Sequence, residues 1–530
     1  MFKRPIVVLL FLWIGGIVLA FNFIPPPFPF LLLAFFLLLP SLFLPHPLAK
    51  AFVLFSFFPF SVSFNSLYFS QRRLPSPCIG NGIAEGTIIE EMNFSKDGKP
   101  YLFLKAMKIR AGGKEDKGKI VKVLLKELKG NPLRMGEKAV FEGKLAPPPL
   151  KIRLQGISYF MKSAKLIRSE KGRGFLFLIG KLRKKLQEAS KQLLPSDSSL
   201  VLTNLVIGKA DVPSPPELVE SFRKTGTIHI LVVSGTQVSI LIAMVWFLLK
   251  WLGVRENHLG ILFLRKEVRK KMGLGSKEEG FLLLRGLAFL FTFSLIIIGY
   301  SFLVGGELPI QRASLMGVLG VIAVTMGREM DALNIFAFTA LAILLNHPPA
   351  LYNPSFQLSF LAVWGLLSLL PIVRSFLPNP RHSLFRFLYL TFATSLSAQI
   401  AVSPILIYYF KMISPISLVA NIFAVPLSFL ILVEGLFLLP LSILLPFAKC
   451  IITPLLYLPI NLLIRLVEFF SRLPLASLSF SLPPLLLYFS LFLLFLAGEV
   501  VTEHSSTKAR KLFLYSFFLY TLLLIWHNIF

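Results

Sequence analysis

The peptide His229-Ile-Leu-Val-Val-Ser-Gly-Thr-Gln-Val-Ser239 places an imidazole, hydroxyls and a primary amide in an apolar run that continues to Trp251. Such groups are costly at membrane depth and are candidates for function by default. His229 and Ser234 carry the groups of a general base and a nucleophile. A five-residue helical spacing does not put them in direct hydrogen-bond reach, and no Gly-x-Ser-x-Gly elbow is present. A helix break at Ser234-Gly235 that lines a pore is therefore preferred to hydrolysis, with Gln237 one turn further on.

Three further apolar segments carry polar inserts: Glu307-Leu-Pro-Ile-Gln-Arg-Ala313, Asn353-Pro-Ser-Phe-Gln-Leu-Ser-Phe360 and Asn421-Ile-Phe-Ala-Val-Pro426. Glu307 and Arg312 flank Pro309, either as a structural ion pair or as a guide for phosphates, with Gln311 beside them. The planar fork of Arg312 suits two phosphate oxygens and stays charged. Asn353 starts a helix after Pro348-Pro349 and fits a cap. Gln357 lies one turn on and faces the same side, as interhelical glue or as an uncharged contact for a sliding polymer. Gln399 sits somewhat deeper. Polar groups converging from several apolar segments define a site.

Other chemistries find no support. Gly113-Lys-Glu-Asp-Lys-Gly-Lys-Ile120 matches a phosphate-binding loop only until Ile120 stands where Ser or Thr is needed, and it reads as a charged hairpin turn. Histidines 46, 229, 258, 347, 382, 504 and 527 are scattered without metal-site spacing. Neither a cofactor nor an enzymatic activity is expected.

The elements that must position these groups are membrane helices. Of 530 residues, 55% are hydrophobic, mean hydropathy is +0.74, and apolar runs exceed the length that spans a bilayer. The expected fold is a polytopic α-helical membrane protein of about 12 to 13 apolar segments with an inserted small all-β soluble domain. Residues 1–70 read as an N-terminal transmembrane anchor, retained and not cleaved, whose third run is weakened by Pro59 and serines. Residues 71–171 alternate as short strands at 86–90, 101–109, 119–126 and 138–145, which predicts an OB-like barrel. Its aromatics, Phe94, Tyr101, Phe103, Phe141, Tyr159 and Phe160, are expected mostly in the core, with one or two exposed for stacking. Residues 172–225 read as an amphipathic basic helix on the membrane surface and a mixed connector. Residues 226–498 form the main transmembrane domain, with several helices broken by proline, and 499–530 a last transmembrane helix.

Net charge is +29, and residues 71–191 carry +17 of it. Such a block fits phosphate-bearing partners, nucleic acid or anionic lipid, or simply a solvated surface. The expected receiving surface comprises Lys105, Lys108, Arg110, Lys119, Lys122 and Lys126. Lys3 and Arg4 place the N-terminus in the cytoplasm, and three crossings then place the barrel outside. Arg465 and Arg472 disagree with this scheme. A membrane enzyme or transporter for anionic lipid-linked substrates is the alternative.

The four inserts, with Ala398-Gln-Ile-Ala-Val-Ser-Pro404, resemble in order and spacing the ComEC-type competence proteins of bacteria. The hydrophobic N-terminus followed by a basic OB-like block is similar as well. The resemblance implies an inner-membrane channel for single-stranded DNA during transformation. It also implies an extracytoplasmic DNA receptor and a cytoplasmic helicase or ATPase as partners, alongside membrane lipids, with homo-oligomerisation open. Thr236-Gln237 departs from the Gly/Leu-His pair often found there, Cys78 lacks the second cysteine of some relatives, and no His-x-His-x-Asp-His nuclease signature precedes Phe530.

Overall fold

The computed structural model describes residues 5–23, 27–38, 56–68, 78–89, 93–94, 100–126, 133, 135–148, 157–170, 174–208, 215–232, 235–251, 276–305, 308–325, 331–376, 380, 382–474 and 476–480. The chain divides into two compact units. One holds residues 1–185, 249–306 and 315–351, and the other 186–248, 307–314 and 352–530.

In the first unit five strands close a barrel: β1 (Gly80–Ile88), β2 (Pro100–Ala111), β3 (Lys119–Leu125), β4 (Lys138–Ala146) and β5 (Ile157–Glu170). Around the barrel the order is β1-β2-β3-β5-β4 and back to β1, with β3 and β5 parallel and every other pair antiparallel. This is the Greek-key order of an OB-like barrel. Closure demands that β1 serve two neighbours. A register shift at Glu85/Gly86 provides the bend, and an added Cβ on Gly86 would lie 2.6 Å from Ala106 Cα, so only glycine fits. Leu102, Leu104, Val121, Val123, Phe141 and Tyr159 fill the interior. The strand Ile157–Glu170 was absent from the expected set because its outer half, Lys162–Glu170, is exposed on nearly every residue and its adjacent apolar pair Leu166-Ile167 breaks the alternation.

The weak third anchor run is also explained here. Residues 56–68 are helical and pack on the helix Pro5–Phe23 through small residues. Gly15 faces Phe58, Gly16 faces Ser61, and Ser61 Oγ donates to Trp13 O at 3.1 Å. The serines that lower hydropathy are the packing seam, as expected where close backbone approach drives association in lipid.

Among the described residues, the second unit contains four helical spans long and apolar enough to cross a membrane: Pro354–Ser375, Phe385–Phe410, Ser417–Leu444 and Pro446–Ser471. Most of their prolines do not break them. Of the prolines expected to break a run, Pro404, Pro426, Pro440 and Pro454 lie inside continuous helices, and Pro446 stands at a break, in the turn between the helices Ser417–Leu444 and Lys449–Ser471. Neighbouring helices and local adjustment accommodate such residues in spans. The irregular turn falls at Gly365–Leu369, where Leu370 N–H bonds Gly365 O across a π-turn just before Pro371. The mixed connector is helical through most of its described residues. It forms helices Ser196–Val206 and Pro216–Lys224, and Gly435 leaves the space that Val206 and Leu202 occupy against the helix Ser417–Leu444.

Candidate functional site

In the second unit, three of the four polar inserts meet. The helix Ile228–Leu231 ends at Val232, whose backbone is extended, and a new helix runs over Gly235–Trp251. Gly235 has no side chain, and Arg312 of the helix Leu308–Thr325 takes that space. A Cβ on Gly235 would lie 2.6 Å from Arg312 Nη2. Arg312 Nε donates to Ser359 Oγ at 2.7 Å, and its Cζ stands 5.8 Å from the Phe360 ring centroid. Arg312 is 7% exposed. A guanidinium and the amino end of a helix both carry positive potential, and bringing them together favours an anion at that point. Stacking on Phe360 and the bond to Ser359 fix the plane of the fork.

The remaining candidates divide. Gln237 is buried on the helix Gly235–Trp251. His229 is exposed, with Nδ1 3.1 Å from Gly226 O. Gly226, at φ +67°, lies against Ser414 and Ser417. Gln399 closes the same turn: Nε2 donates to Ser414 O at 3.0 Å and Oε1 accepts from Ser417 Oγ at 2.7 Å. Its amide therefore ties two helices together. Asn353 Oδ1 accepts from Ser355 N–H at 2.9 Å, the cap geometry. Gln311 is exposed and Gln357 half-buried. Asn421 Oδ1 is buried with no hydrogen-bond partner among the described residues. Ser234 and Glu307 lie outside the described residues. Reading by motif overlooked Ser359, Phe360 and Gly235 as the groups that hold Arg312. It also overlooked Glu434, whose Oε2 is buried without a partner among the described residues. A carboxylate inside a 28-residue apolar helix was the available signal.

In the first unit the outer face of the barrel carries a second constellation. Phe103, Lys122 and Phe160 form one cross-strand rung over β2, β3 and β5. Lys122 Nζ lies 3.9 Å from the Tyr101 ring centroid, 5.7 Å from that of Phe103 and 5.9 Å from that of Phe160. Tyr101 and Phe103 meet edge to face at 5.7 Å. All three rings are half-buried and point outward, whereas Phe141 and Tyr159 fill the core, and the side chain of Phe94 lies outside those described. Burial and the bond donated to Asp116 Oδ2 at 2.6 Å push the Tyr159 hydroxyl pKa well up, so it stays neutral.

The cations differ in availability. Lys105, Lys119 and Lys126 are exposed. Lys108 and Arg110 instead share Glu115, at 3.4 and 3.2 Å, and Lys117 joins them at 3.3 Å. Partial desolvation pushes the Glu115 carboxyl up, but the bonds from Arg110 and Lys117 and the charge of Lys108 outweigh it and hold the pKa below the usual value. A depressed folded pKa makes this contribution present above the ordinary carboxylate pKa and lost as pH falls through the lowered one. The charged hairpin at Gly112, Gly113 and Gly118 is thus a turn around one carboxylate, and its glycines adopt φ of +58°, +75° and +69°.

The family model described as Competence protein matches residues 205–504. ComE operon protein 3 of Bacillus subtilis (strain 168) is 26% identical over 252 residues, which cover 48% of this chain and 27% of that protein. This chain therefore matches about a quarter of the length of that curated relative. No solved structure matches. The matched region begins within the helix Ser196–Val206 and takes in the Gly235, Arg312 and Ser359 junction together with all four long apolar spans, so this membrane protein with an OB-like barrel belongs to the competence protein family.

Proposed function

We propose that this protein is an inner-membrane channel that carries single-stranded DNA into the cell during competence. The observation that carries the reading is the outward rung of Tyr101, Phe103 and Phe160 around Lys122 on an OB-like barrel. A soluble barrel needs its aromatics inside. Rings left on the strand face next to lysine offer stacking surfaces for bases and charge for phosphates. Lys105, Lys119 and Lys126 extend that charge, and Lys108 and Arg110 add to it when Glu115 releases them.

In this reading the barrel of residues 71–171 is extracytoplasmic and the N-terminus cytoplasmic, following Lys3 and Arg4. Residues 226–498 form the channel. Arg312 is the phosphate contact. His229, Ser234, Gln237, Glu307, Gln311, Asn353, Gln357, Gln399 and Asn421 line the path or brace the helices that do. An extracytoplasmic DNA receptor delivers the strand, and a cytoplasmic ATPase supplies the energy.

The direct test is import of a fluorescent single-stranded oligonucleotide into proteoliposomes of the purified chain, with the oligonucleotide pulled by a nuclease or polymerase inside. Protection of the label from external nuclease, dependent on the protein, is the expected result. Lipid-dependent turnover of a lipid-linked anion with no oligonucleotide binding would replace this reading by the enzyme or transporter alternative. Glu115→Gln adds a quantitative check. Releasing Lys108 and Arg110 should tighten oligonucleotide binding at low salt. It should also steepen log K against log salt by about 0.7 for each cation that then meets a phosphate. An unchanged slope would place those cations off the bound strand.

A further inference from the structure

The helix Phe175–Leu193 has two working faces. One is fastened to the protein. Gly180 packs on Met135 O and Gly136 on Phe177, so the helix rests on the β3–β4 connection of the barrel. Arg183, 1% exposed, donates through Nε to Leu303 O at 2.8 Å and also through Nη2. Arg183 is thus spent on the last carbonyls of the helix Ser276–Val304, where a cation is favoured. It is not part of a basic surface.

The other face is apolar and uncovered. Phe175, Leu178 and Leu182 follow one another at helical spacing, and Leu178 is 63% exposed. Exposed Lys181 and Lys185 flank this stripe. The stripe does not stand alone. Phe175 meets Phe302 edge-on at 5.6 Å, and Phe302 is the last of an exposed row, Phe291, Leu295, Ile298 and Phe302, on one side of the membrane helix. The uncovered face is therefore continuous with a lipid-facing flank, at the level where that helix ends.

We propose that Phe175, Leu178 and Leu182 sit at the acyl boundary of the bilayer while Lys181 and Lys185 bind anionic phospholipid headgroups, and that this helix thereby holds the barrel at the membrane surface. Continuity with Phe302 places the stripe at the interface. The paired lysines select a negative headgroup over a zwitterionic one, because each basic side chain near an anionic surface adds severalfold to affinity. The occupant is lipid and not nucleic acid, because Leu178 and Leu182 give a base no ring to stack on and the stripe runs on into the exposed apolar row that ends at Phe302.

The test uses the full chain with Leu178→Cys in a Cys450→Ser background, since Cys78 is buried. An environment-sensitive fluorophore on residue 178 is read in bilayers containing spin-labelled phosphatidylglycerol or phosphatidylcholine. Blue-shifted emission is expected, with quenching strongest from labels high on the acyl chain and several times stronger from phosphatidylglycerol. Lys181→Gln with Lys185→Gln should remove the headgroup preference and keep the depth. Water-like emission untouched by either lipid would overturn the placement. Equal quenching by both headgroups in the parent would overturn the lysine assignment. Quenching relieved by an added oligonucleotide would overturn the choice of occupant. Leu178 is exposed, so its replacement leaves the packed face intact.

Discussion

Arg312→Ala is expected to lower oligonucleotide import into proteoliposomes on the order of a hundredfold with the protein still in the membrane. Two magnitudes lead to that figure. Losing one partner of a desolvated charge pair costs roughly 2–5 kcal/mol, and about 3 kcal/mol is near a hundredfold. The damage to the fold is expected to be smaller, because losing the bond to Ser359 Oγ and the contact with Phe360 costs about 1–3 kcal/mol between them. Charge alone does not describe the site. Arg312→Lys keeps the cation but cannot both bond Ser359 and present a fork, so it should recover only a small part of import. Gly235→Val leaves Arg312 in place chemically and drives a Cβ into Nη2, so it should resemble the alanine variant. Import rates are compared at equal membrane abundance, measured by immunoblot. Full import by Arg312→Lys would sink the role of the planar fork. Full import by Gly235→Val would show that the space beside Gly235 is not needed.

The same junction illustrates what a sequence can and cannot carry. Polar residues inside apolar runs are rare enough that His229–Ser239, Glu307–Ala313 and Asn353–Phe360 stand out one at a time. Their meeting is a matter of helix packing, which leaves no local trace. Gly235 reads as a break and Ser359 as an incidental hydroxyl until Arg312 is seen between them. Amides are the hardest to sort. Asn353 and Gln399 have the same chemistry available to them as pore-lining groups, yet one caps its own helix and the other bridges Ser414 and Ser417. Prolines misled in the opposite direction. In a soluble protein Pro426 inside a helix argues for a break, but a helix packed among others in lipid has no better way to satisfy its backbone.

In the barrel, alternation exposed four strands, because an inward apolar residue every second position is what a small core requires. It failed at β5, where Lys162–Glu170 is exposed on nearly every residue and the adjacent Leu166 and Ile167 break the alternation. The split of the aromatics also exceeded the reading by composition, which assigned most rings to the core. Tyr101, Phe103 and Phe160 occupy the outward parity of their strands, opposite to Leu102, Leu104 and Tyr159. Parity was legible once the strand register was known, and the register depended on the bulge at Glu85/Gly86 and on the parallel pairing of β3 with β5.

That parity leads to the second large effect. Tyr101→Ala combined with Phe103→Ala should weaken single-stranded oligonucleotide binding by the full chain about thirtyfold or more, since each stacked base is worth roughly 1–3 kcal/mol and two rings are removed. The barrel should survive, because both side chains are outside its core and the inward Leu102 and Leu104 remain. The salt dependence separates this effect from electrostatics. Removing rings releases no counterions, so the slope of log K against log salt should stay constant while affinity falls. Lys122→Gln should do the reverse in part, reducing the slope by about 0.7 with a smaller loss at high salt. Lys122 also holds the rings, at 3.9 Å from Tyr101, so some stacking affinity should go with it. A double aromatic variant that binds as tightly as the parent would remove the outer face of β2, β3 and β5 from the DNA path and leave the lysines alone to account for capture. A fall in slope with the aromatic variant would mean that the strand leaves the surface altogether, and that the rings position the backbone and not the bases.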